Sequence, residues 1–143
     1  MSTSTRPDPA AGAPRDPAPA SVSTHILDTS AGRPAPDVAV SLAARGGPGA
    51  AWVTLGGSRT DADGRCTHLP ALPPDTTHVR LDFTTGPYLT RRTQAEERQD
   101  APALRDSGAF FPEVAVTFAV TPGEHFHVPL LLNPFGYSVY RGS

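Results

Sequence analysis

The chain has 143 residues, 38% of them hydrophobic, and a formal net charge of −2. This length and composition suit one domain with a single core and leave little room for a second. All 12 basic residues are arginine, and they are scattered, so the sequence lacks the basic stripe with which nucleic-acid binders neutralise phosphates. We therefore expect no nucleic-acid partner.

Cysteine content and hydropathy bear on the cellular compartment. Cys66 is the single cysteine, which excludes an intrachain disulfide and fits a reducing environment. The longest apolar stretches fall short of the ~20 residues that a membrane helix needs. The N-terminus also lacks the apolar segment of a signal peptide. We therefore expect a cytoplasmic protein without a membrane partner.

Residues 1–22 differ in composition from the rest of the chain. This segment, MSTSTRPDPAAGAPRDPAPASV, is rich in proline and alanine and holds almost nothing large to bury. Burial therefore cannot offset the conformational entropy that ordering would remove. We predict a disordered extension over residues 1–22 and one folded domain over residues 23–143.

Short segments of alternating apolar and polar residues follow, separated by glycine and proline turns, and this is the pattern of half-buried strands. The segment 87–108 is instead rich in helix-forming residues up to Pro102, so we predict one short surface helix there. Together these elements indicate an all-β fold, an antiparallel β-sandwich with one short helix. The apolar positions of the clearest strands are Val38, Val40 and Leu42; Val79, Leu81 and Phe83; and Val114, Val116 and Phe118.

The sequence DADGR at 61–65 is a turn signal. Gly64 is expected to adopt a positive φ angle, and Asp63 to supply the side-chain hydrogen bond to the local backbone. The turn presents Arg65 at the start of a short strand. An arginine there is a solvated turn residue unless a substrate carbonyl or oxyanion lies nearby.

The last two strands carry the most informative pattern. Period two sends Phe126, Val128, Leu130 and Leu132 to one face, which we predict to be core, and His125, His127, Pro129 and Leu131 to the other. In the next segment Ser138, Tyr140 and Gly142 share a face. Two adjacent strands can therefore place imidazole, hydroxyl and phenol groups side by side.

Two readings of these histidines stay open from the residues alone. A single histidine on a strand is more often structural than catalytic, although histidine is the usual group for moving a proton in hydrolysis. His125 and His127 could share a zinc ion, but zinc needs a third protein ligand, and no cysteine cluster or H-E-x-x-H motif accompanies them. No G-x-S-x-G elbow, P-loop or dinucleotide fingerprint is present either.

Four blocks resemble the signature regions of the 5-hydroxyisourate hydrolase family, the enzymatic branch of the transthyretin-like proteins. They are THILDTSAGRPAPDVAVSL at 24–42, TDADGR at 60–65, FFPEVAVTF at 110–118 and HFHVPLLLNPFGYSVYRGS at 125–143. The resemblance spans nearly all of the chain after residue 22. The terminal Y-R-G-S is characteristic of the hydrolases and is lacking in the hormone-carrying transthyretins.

The resemblance implies a function and an assembly. The family implies hydrolysis of 5-hydroxyisourate to 2-oxo-4-hydroxy-4-carboxy-5-ureidoimidazoline in urate breakdown. It implies a homotetramer, a dimer of dimers, with active sites in the channel between dimers, and it implies neither a metal nor another cofactor. The alternative from another class is a non-catalytic transthyretin-like carrier of a small hydrophobic ligand in the same channel.

The resemblance also implies site residues, by position in the matching motifs. The catalytic residues would be His25, Arg65 and His127, and the substrate-binding residues Ser138, Tyr140, Arg141 and Ser143. Which histidine is the general base stays open. The chain departs from the family pattern at Val139, where threonine is usual and period two suggests a packing role, and at Asn133, which replaces a common serine. Residues 88–108 exceed the family's usual length.

Overall fold

A computed structural model of the chain describes residues 18–99 and 109–143. The described part contains nine strands and one helix, and this helix is not long and apolar enough to cross a membrane. The strands are β1 (Ser21–Asp28), β2 (Arg33–Pro34), β3 (Ala39–Arg45), β4 (Val53–Arg59), β5 (Arg65–Cys66), β6 (His78–Thr84), β7 (Val114–Ala119), β8 (His125–Asn133) and β9 (Gly136–Val139), and the helix is α1 (Gly86–Gln99).

The strands form two sheets. The first has the order β2-β1-β8-β9, with β5 also paired to β1, and the second has the order β4-β3-β6-β7. The alternating apolar positions of both sheets point inward and form the core between them. Phe83, Leu42, Leu81 and Leu130 are fully buried there, as period two predicts. The predicted β-sandwich with one short helix is confirmed.

One strand pair departs from the predicted antiparallel pattern. β1 and β8 run parallel, and their register pairs Ser21 with His125, Ser23 with His127 and His25 with Pro129. Parallel neighbours need a long connection between them, and here the second sheet and α1 lie between β1 and β8 in the sequence. This pairing sets residues about a hundred positions apart level with one another.

The folded part begins earlier than the predicted domain start at residue 23. β1 begins at Ser21, and Ala20 and Val22 are buried in the core. Both apolar side chains gain from burial against the second sheet, and the backbone of Ser21 donates a hydrogen bond to the carbonyl of Glu124. Residues 21 and 22 are therefore part of the fold. Residues 1–17, which carry most of the predicted extension, lie outside the described residues.

Helix α1 lies within the segment predicted to hold a helix, but its first turn is not a surface element. Tyr88 and Leu89 are buried, and the Tyr88 hydroxyl donates a 2.5 Å hydrogen bond to Oδ2 of Asp28. Arg92 binds the same oxygen at 2.9 Å. The carboxylate of Asp28 thus anchors the helix to the end of β1. The part of the predicted loop at 100–108 lies outside the described residues.

The anchor keeps Asp28 ionised. Burial alone would raise the pKa of Asp28, but hydrogen bonds from Tyr88, from the Ala31 N–H and from Ser30, with the charge of Arg92, hold the pKa below its usual value. A carboxylate whose pKa is lowered by folding contributes stability above its unfolded pKa. That contribution is lost as the pH falls through the folded value.

Tyr88→Phe should lower the free energy of unfolding by about 1.5–3 kcal/mol at pH 7, because it removes a hydrogen bond to a buried carboxylate. Urea unfolding monitored by circular dichroism measures the difference. Tyr137→Phe is the matched control, since Tyr137 is 42% exposed and its hydroxyl makes no hydrogen bond within the described residues. The difference should shrink in acid, as Asp28 becomes protonated. Equal stabilities of the two variants at pH 7 would contradict the anchoring role.

Candidate active site

A polar pocket of about 280 Å³ opens on the face of the first sheet that points away from the core. Strands β1, β5 and β8 and the last residue of the chain contribute its walls, so the groups that meet there come from four separate parts of the sequence. Its side chains can donate and accept protons and stabilise negative charge. The lining residues are Ser23, Thr24, Arg65, Thr67, His125, His127 and Ser143.

The turn before β5 places Arg65 at this pocket. Gly64 has φ of 74°, as predicted, and an added Cβ would lie 2.5 Å from the carbonyl oxygen of Ile26. The side-chain bonds of the turn come from Asp61, and the prediction for Asp63 was wrong. Oδ1 of Asp61 accepts from the backbone N–H groups of Asp63 and Arg65, because its position precedes the turn and its carboxylate reaches back over it.

His25 lies beside the pocket on β1, paired across the sheet with Arg65 on β5. Its Nε2 is 3.0 Å from the carbonyl oxygen of Asp63. Because a carbonyl only accepts, Nε2 carries the proton in this contact, which fixes the ring tautomer. The ring centroid of His25 is 6.4 Å from that of His127. The fold therefore brings the three predicted catalytic residues together.

His127 lies at the centre of the pocket and is held through Nδ1. Oγ of Ser23 is 2.8 Å from Nδ1 of His127, and the same oxygen is 2.8 Å from Nε2 of His125. Burial lowers the pKa of His127, and the neighbouring His25, Arg65 and His125 lower it further, because each disfavours a positive charge on the ring. His127 is accordingly neutral at pH 7 and able to accept a proton.

The C-terminal tail crosses His127 at close range. The backbone N–H of Gly142 donates a 2.7 Å hydrogen bond to the carbonyl oxygen of His127. A Cβ at position 142 would lie 2.9 Å from Cδ2 of His127 and 3.3 Å from Cγ of Pro129. Only glycine fits this crossing without displacing the imidazole. The crossing places Ser143 in the wall of the pocket.

The other predicted binding residues lie elsewhere. The Arg141 guanidinium stacks 4.4 Å above the ring of Phe126 and contacts Glu124 at 3.2 Å, so it points to the face opposite the pocket. Period two accounts for this, since position 141 alternates with Gly142 and Tyr140. Ser138 pairs with Leu131 and Tyr140 is 54% exposed. Neither of these two residues lines the pocket of the single chain.

The structure shows what surrounds the two departures from the family pattern. Oδ1 of Asn133 accepts a hydrogen bond from the backbone N–H of Phe135 in the β8–β9 turn, so asparagine supports this turn with its own side chain. Val139 lies on the face opposite Ser138 and borders an apolar groove beside Phe126 and Val128. Its side chain is partly exposed there.

Four pocket residues were missed as site residues from the sequence. Ser23, Thr24 and Thr67 were not singled out, and His125 was considered only as half of a zinc pair. A signal for Ser23 does exist, because Ser21, Ser23 and His25 alternate along one face of β1. Across residues 18–99 and 109–143, no group of three or more histidine, cysteine, aspartate or glutamate side chains is arranged to hold a metal ion.

These features define a class: a two-sheet β-sandwich with a pocket of histidine, arginine and hydroxyl groups on the outer face of one sheet. A family model described as the HIUase/Transthyretin family, in which HIUase denotes 5-hydroxyisourate hydrolase, matches residues 22–142. The chain belongs to this family.

Known proteins of the family are similar over most of the chain. The 5-hydroxyisourate hydrolase of Salmonella dublin is 39% identical over 127 residues, which cover 85% of this chain and 80% of that protein. The uric acid degradation bifunctional protein TTL of Arabidopsis thaliana is 39% identical over 138 residues, and the chain spans only 37% of its length. The structure of the Klebsiella pneumoniae 5-hydroxyisourate hydrolase is 35% identical with a TM-score of 0.64, covering 85% of this chain and 98% of that one.

Gly64→Ala should destabilise the fold by more than about 2 kcal/mol, because it adds backbone strain at positive φ to a clash with the carbonyl of Ile26. Gly32→Ala is the matched control. Gly32 has φ of 70° but nothing within 4 Å of the added Cβ, so it reports the strain alone, about 1 kcal/mol. Chemical denaturation compares the two. Equal losses would show that the turn tolerates a side chain at position 64.

Proposed function

We propose that this chain is a 5-hydroxyisourate hydrolase, which opens a ring amide of its substrate to give 2-oxo-4-hydroxy-4-carboxy-5-ureidoimidazoline in urate breakdown. The observation that carries the proposal is a polar pocket lined by Arg65, His127 and Ser143. The ring of His25 lies beside it, 6.4 Å from the ring of His127. The similar proteins named as 5-hydroxyisourate hydrolases in Salmonella and Klebsiella support the same reaction.

His127 is the residue we assign as general base. Its imidazole is neutral at pH 7, and among the described residues only its Nδ1 is hydrogen-bonded to a side chain. Nε2 is therefore available to take a proton from water as the water attacks the ring carbonyl. General base catalysis of this kind contributes roughly 10²- to 10⁴-fold in rate.

Arg65 and His25 complete the reaction centre. The guanidinium of Arg65 presents donors to the oxyanion that forms when water adds to the carbonyl. His25, held by the carbonyl oxygen of Asp63, is placed to hydrogen-bond the substrate or its leaving nitrogen. Ser143 would contact the substrate from the pocket wall, and Ser138 and Tyr140 would do so from further along the sheet. Arg141 would not contact the substrate, because its guanidinium packs on Phe126.

The alternative function, a carrier of a small hydrophobic ligand, has less support. The pocket that the family resemblance points to is lined mainly by imidazole, guanidinium and hydroxyl groups. Such groups lose solvation without compensation against an apolar ligand. A ring amide with several carbonyl and N–H groups would instead satisfy them.

The wild-type chain should accelerate the loss of freshly generated 5-hydroxyisourate, followed by ultraviolet absorbance. His127→Ala should lower kcat at least about a hundredfold, because it removes the base. His78→Ala is the matched control, since His78 lies on β6 of the other sheet.

The pH dependence of kcat gives a second test. In the wild-type protein kcat should fall in acid with a midpoint below pH 6.5, the ordinary histidine pKa, because the pKa of His127 is lowered. An inactive wild-type protein that is correctly folded would overturn the proposal.

We further propose a homotetramer, a dimer of dimers, and a cytoplasmic location. Strands β7 and β9 are edge strands of the two sheets, and an apolar groove of about 270 Å³ lies between them. Val139 is 36% exposed at this groove. Unpaired edges with apolar side chains favour association with another copy. The location is supported by the unpaired, buried thiol of Cys66, which needs no oxidising compartment.

Sedimentation velocity of the wild-type protein should give a mass of four protomers. Val139→Lys should shift the distribution to smaller species, because it places a charge in the apolar groove between the edge strands. Val53→Lys is the matched control, since Val53 is also exposed but lies on β4 at the other edge. A wild-type protein that sediments as a monomer would contradict the proposed tetramer.

A further inference from the structure

Four side chains form a continuous hydrogen-bonded row beside the reaction centre. Oγ of Ser21 is 2.6 Å from Nδ1 of His125, and Nε2 of His125 is 2.8 Å from Oγ of Ser23. Oγ of Ser23 is in turn 2.8 Å from Nδ1 of His127. Both ring nitrogens of His125 are thus engaged by serine hydroxyls of the neighbouring strand. The row runs from an exposed end at Ser21 to the half-buried base.

The parallel register of β1 and β8 produces this row. It pairs Ser21 with His125 and Ser23 with His127, and period two points all four side chains away from the core. If the register between β1 and β8 shifted by one residue, the side chains of one of the two strands would turn toward the second sheet. The row is therefore specified by the same pairing that builds the pocket.

Ser23 couples the two imidazoles. A hydroxyl group has one proton, so Ser23 can donate to one ring nitrogen only while it accepts from the other. When Nδ1–H of His127 donates to Ser23, Ser23 donates to Nε2 of His125, whose proton then lies on Nδ1 beside Ser21. This arrangement leaves the lone pair of His127 on Nε2, the nitrogen that the proposed mechanism uses as base.

The proposed reaction moves two protons at His127 in every turnover. Nε2 of His127 takes one proton from the attacking water, and the leaving nitrogen must receive one as the C–N bond breaks. The second proton of the water stays on the carboxylic acid, which ionises at neutral pH as the product leaves. His127 must therefore act first as a base and then as an acid before the next turnover.

We propose that Ser23 and His125 relay a proton between His127 and solvent, an inference that rests on the proposed hydrolase function. As Nε2 of His127 takes a proton from water, Nδ1–H of His127 passes its proton to Oγ of Ser23, Ser23 passes its own to Nε2 of His125, and Nδ1–H of His125 releases one to solvent at the Ser21 end. As the C–N bond breaks, Nε2–H of His127 protonates the leaving nitrogen, and the row takes one proton back from solvent in the reverse order. Each group then has the protons with which it began, and no oxidant or other co-reactant is consumed.

The surroundings of His127 favour the outward transfer when His127 acts as a base. His127 is half-buried, and burial disfavours a positive charge on its ring, as do His25 on β1, Arg65 on β5 and His125 on β8. Ser143 of the tail lies in the same pocket wall. The outward transfer therefore carries the charge from the half-buried ring to the exposed end of the row.

Two variants separate a relay from simple support of the His127 ring. Ser23→Ala removes the hydroxyl between the imidazoles. His125→Gln keeps a group that can hydrogen-bond Ser23 but cannot carry a proton at neutral pH. In dilute buffer each variant should lower kcat about tenfold with KM unchanged, and added imidazole should restore the rate by accepting the proton directly from His127. Ser41→Ala, on β3 of the other sheet, is the serine control.

Each result supports or overturns the relay. Rates of both variants equal to wild type, or losses that imidazole does not restore, overturn it. So does a loss in Ser23→Ala without one in His125→Gln, since a hydrogen-bonding group at position 125 would then suffice. An inactive wild-type protein overturns the proposed function and the relay together, whereas an active wild type with unaffected variants overturns the relay alone.

A second readout does not depend on activity. Nitrogen chemical shifts of the histidine rings, followed by NMR against pH, report the protonation and tautomer of each imidazole. In the wild-type protein the shifts should show the proton of each neutral ring on Nδ1, as the hydrogen-bonded row requires. Ser23→Ala should let both tautomers of His127 appear. Unchanged ring nitrogen shifts in Ser23→Ala would show that the hydroxyl does not link the two rings, and would overturn the relay.

Discussion

The parallel pairing of β1 with β8 is the constraint on which the rest of the structure depends. It joins strands about a hundred positions apart and buries Ile26 of β1 and Leu130 of β8 side by side in the core. On the opposite face the same register sets Ser23 level with His127. Because side chains alternate strictly along a strand, the packing of the inner face fixes the arrangement of the outer one. The register that packs the core therefore also sets the geometry of the site.

Two close backbone approaches complete the site around that pair. The turn at Gly64 lies against the carbonyl of Ile26, and the tail at Gly142 lies against His127. A side chain would displace the backbone of β1 at the first place and the imidazole of His127 at the second. Glycine brings Arg65 and Ser143 to the pocket from segments that would otherwise stop outside it. The proposed reaction centre thus rests mainly on strand backbones, which hold side chains more rigidly than loops do.

The arginines show how environment decides the role of one side-chain type. Arg65 lines the polar pocket, where we propose that its donors stabilise an oxyanion. Arg92 binds the buried carboxylate of Asp28 and anchors α1. Arg141 stacks on Phe126 and fixes the tail through Glu124. The same planar cation serves in the site, in the fold and in the tail, according to what lies within reach.

The sequence by itself determined which face of β3, β6, β7 and β8 is buried, the turn before Arg65 and the family to which the motifs belong. Period two and turn chemistry are local, so they can be read without knowing any partner strand. Only the tertiary structure decided that β1 and β8 run parallel, that Ser23 joins two imidazoles and that Arg141 points away from the pocket. These facts depend on register between distant segments. The packing of the whole core selects that register, and no local pattern encodes it.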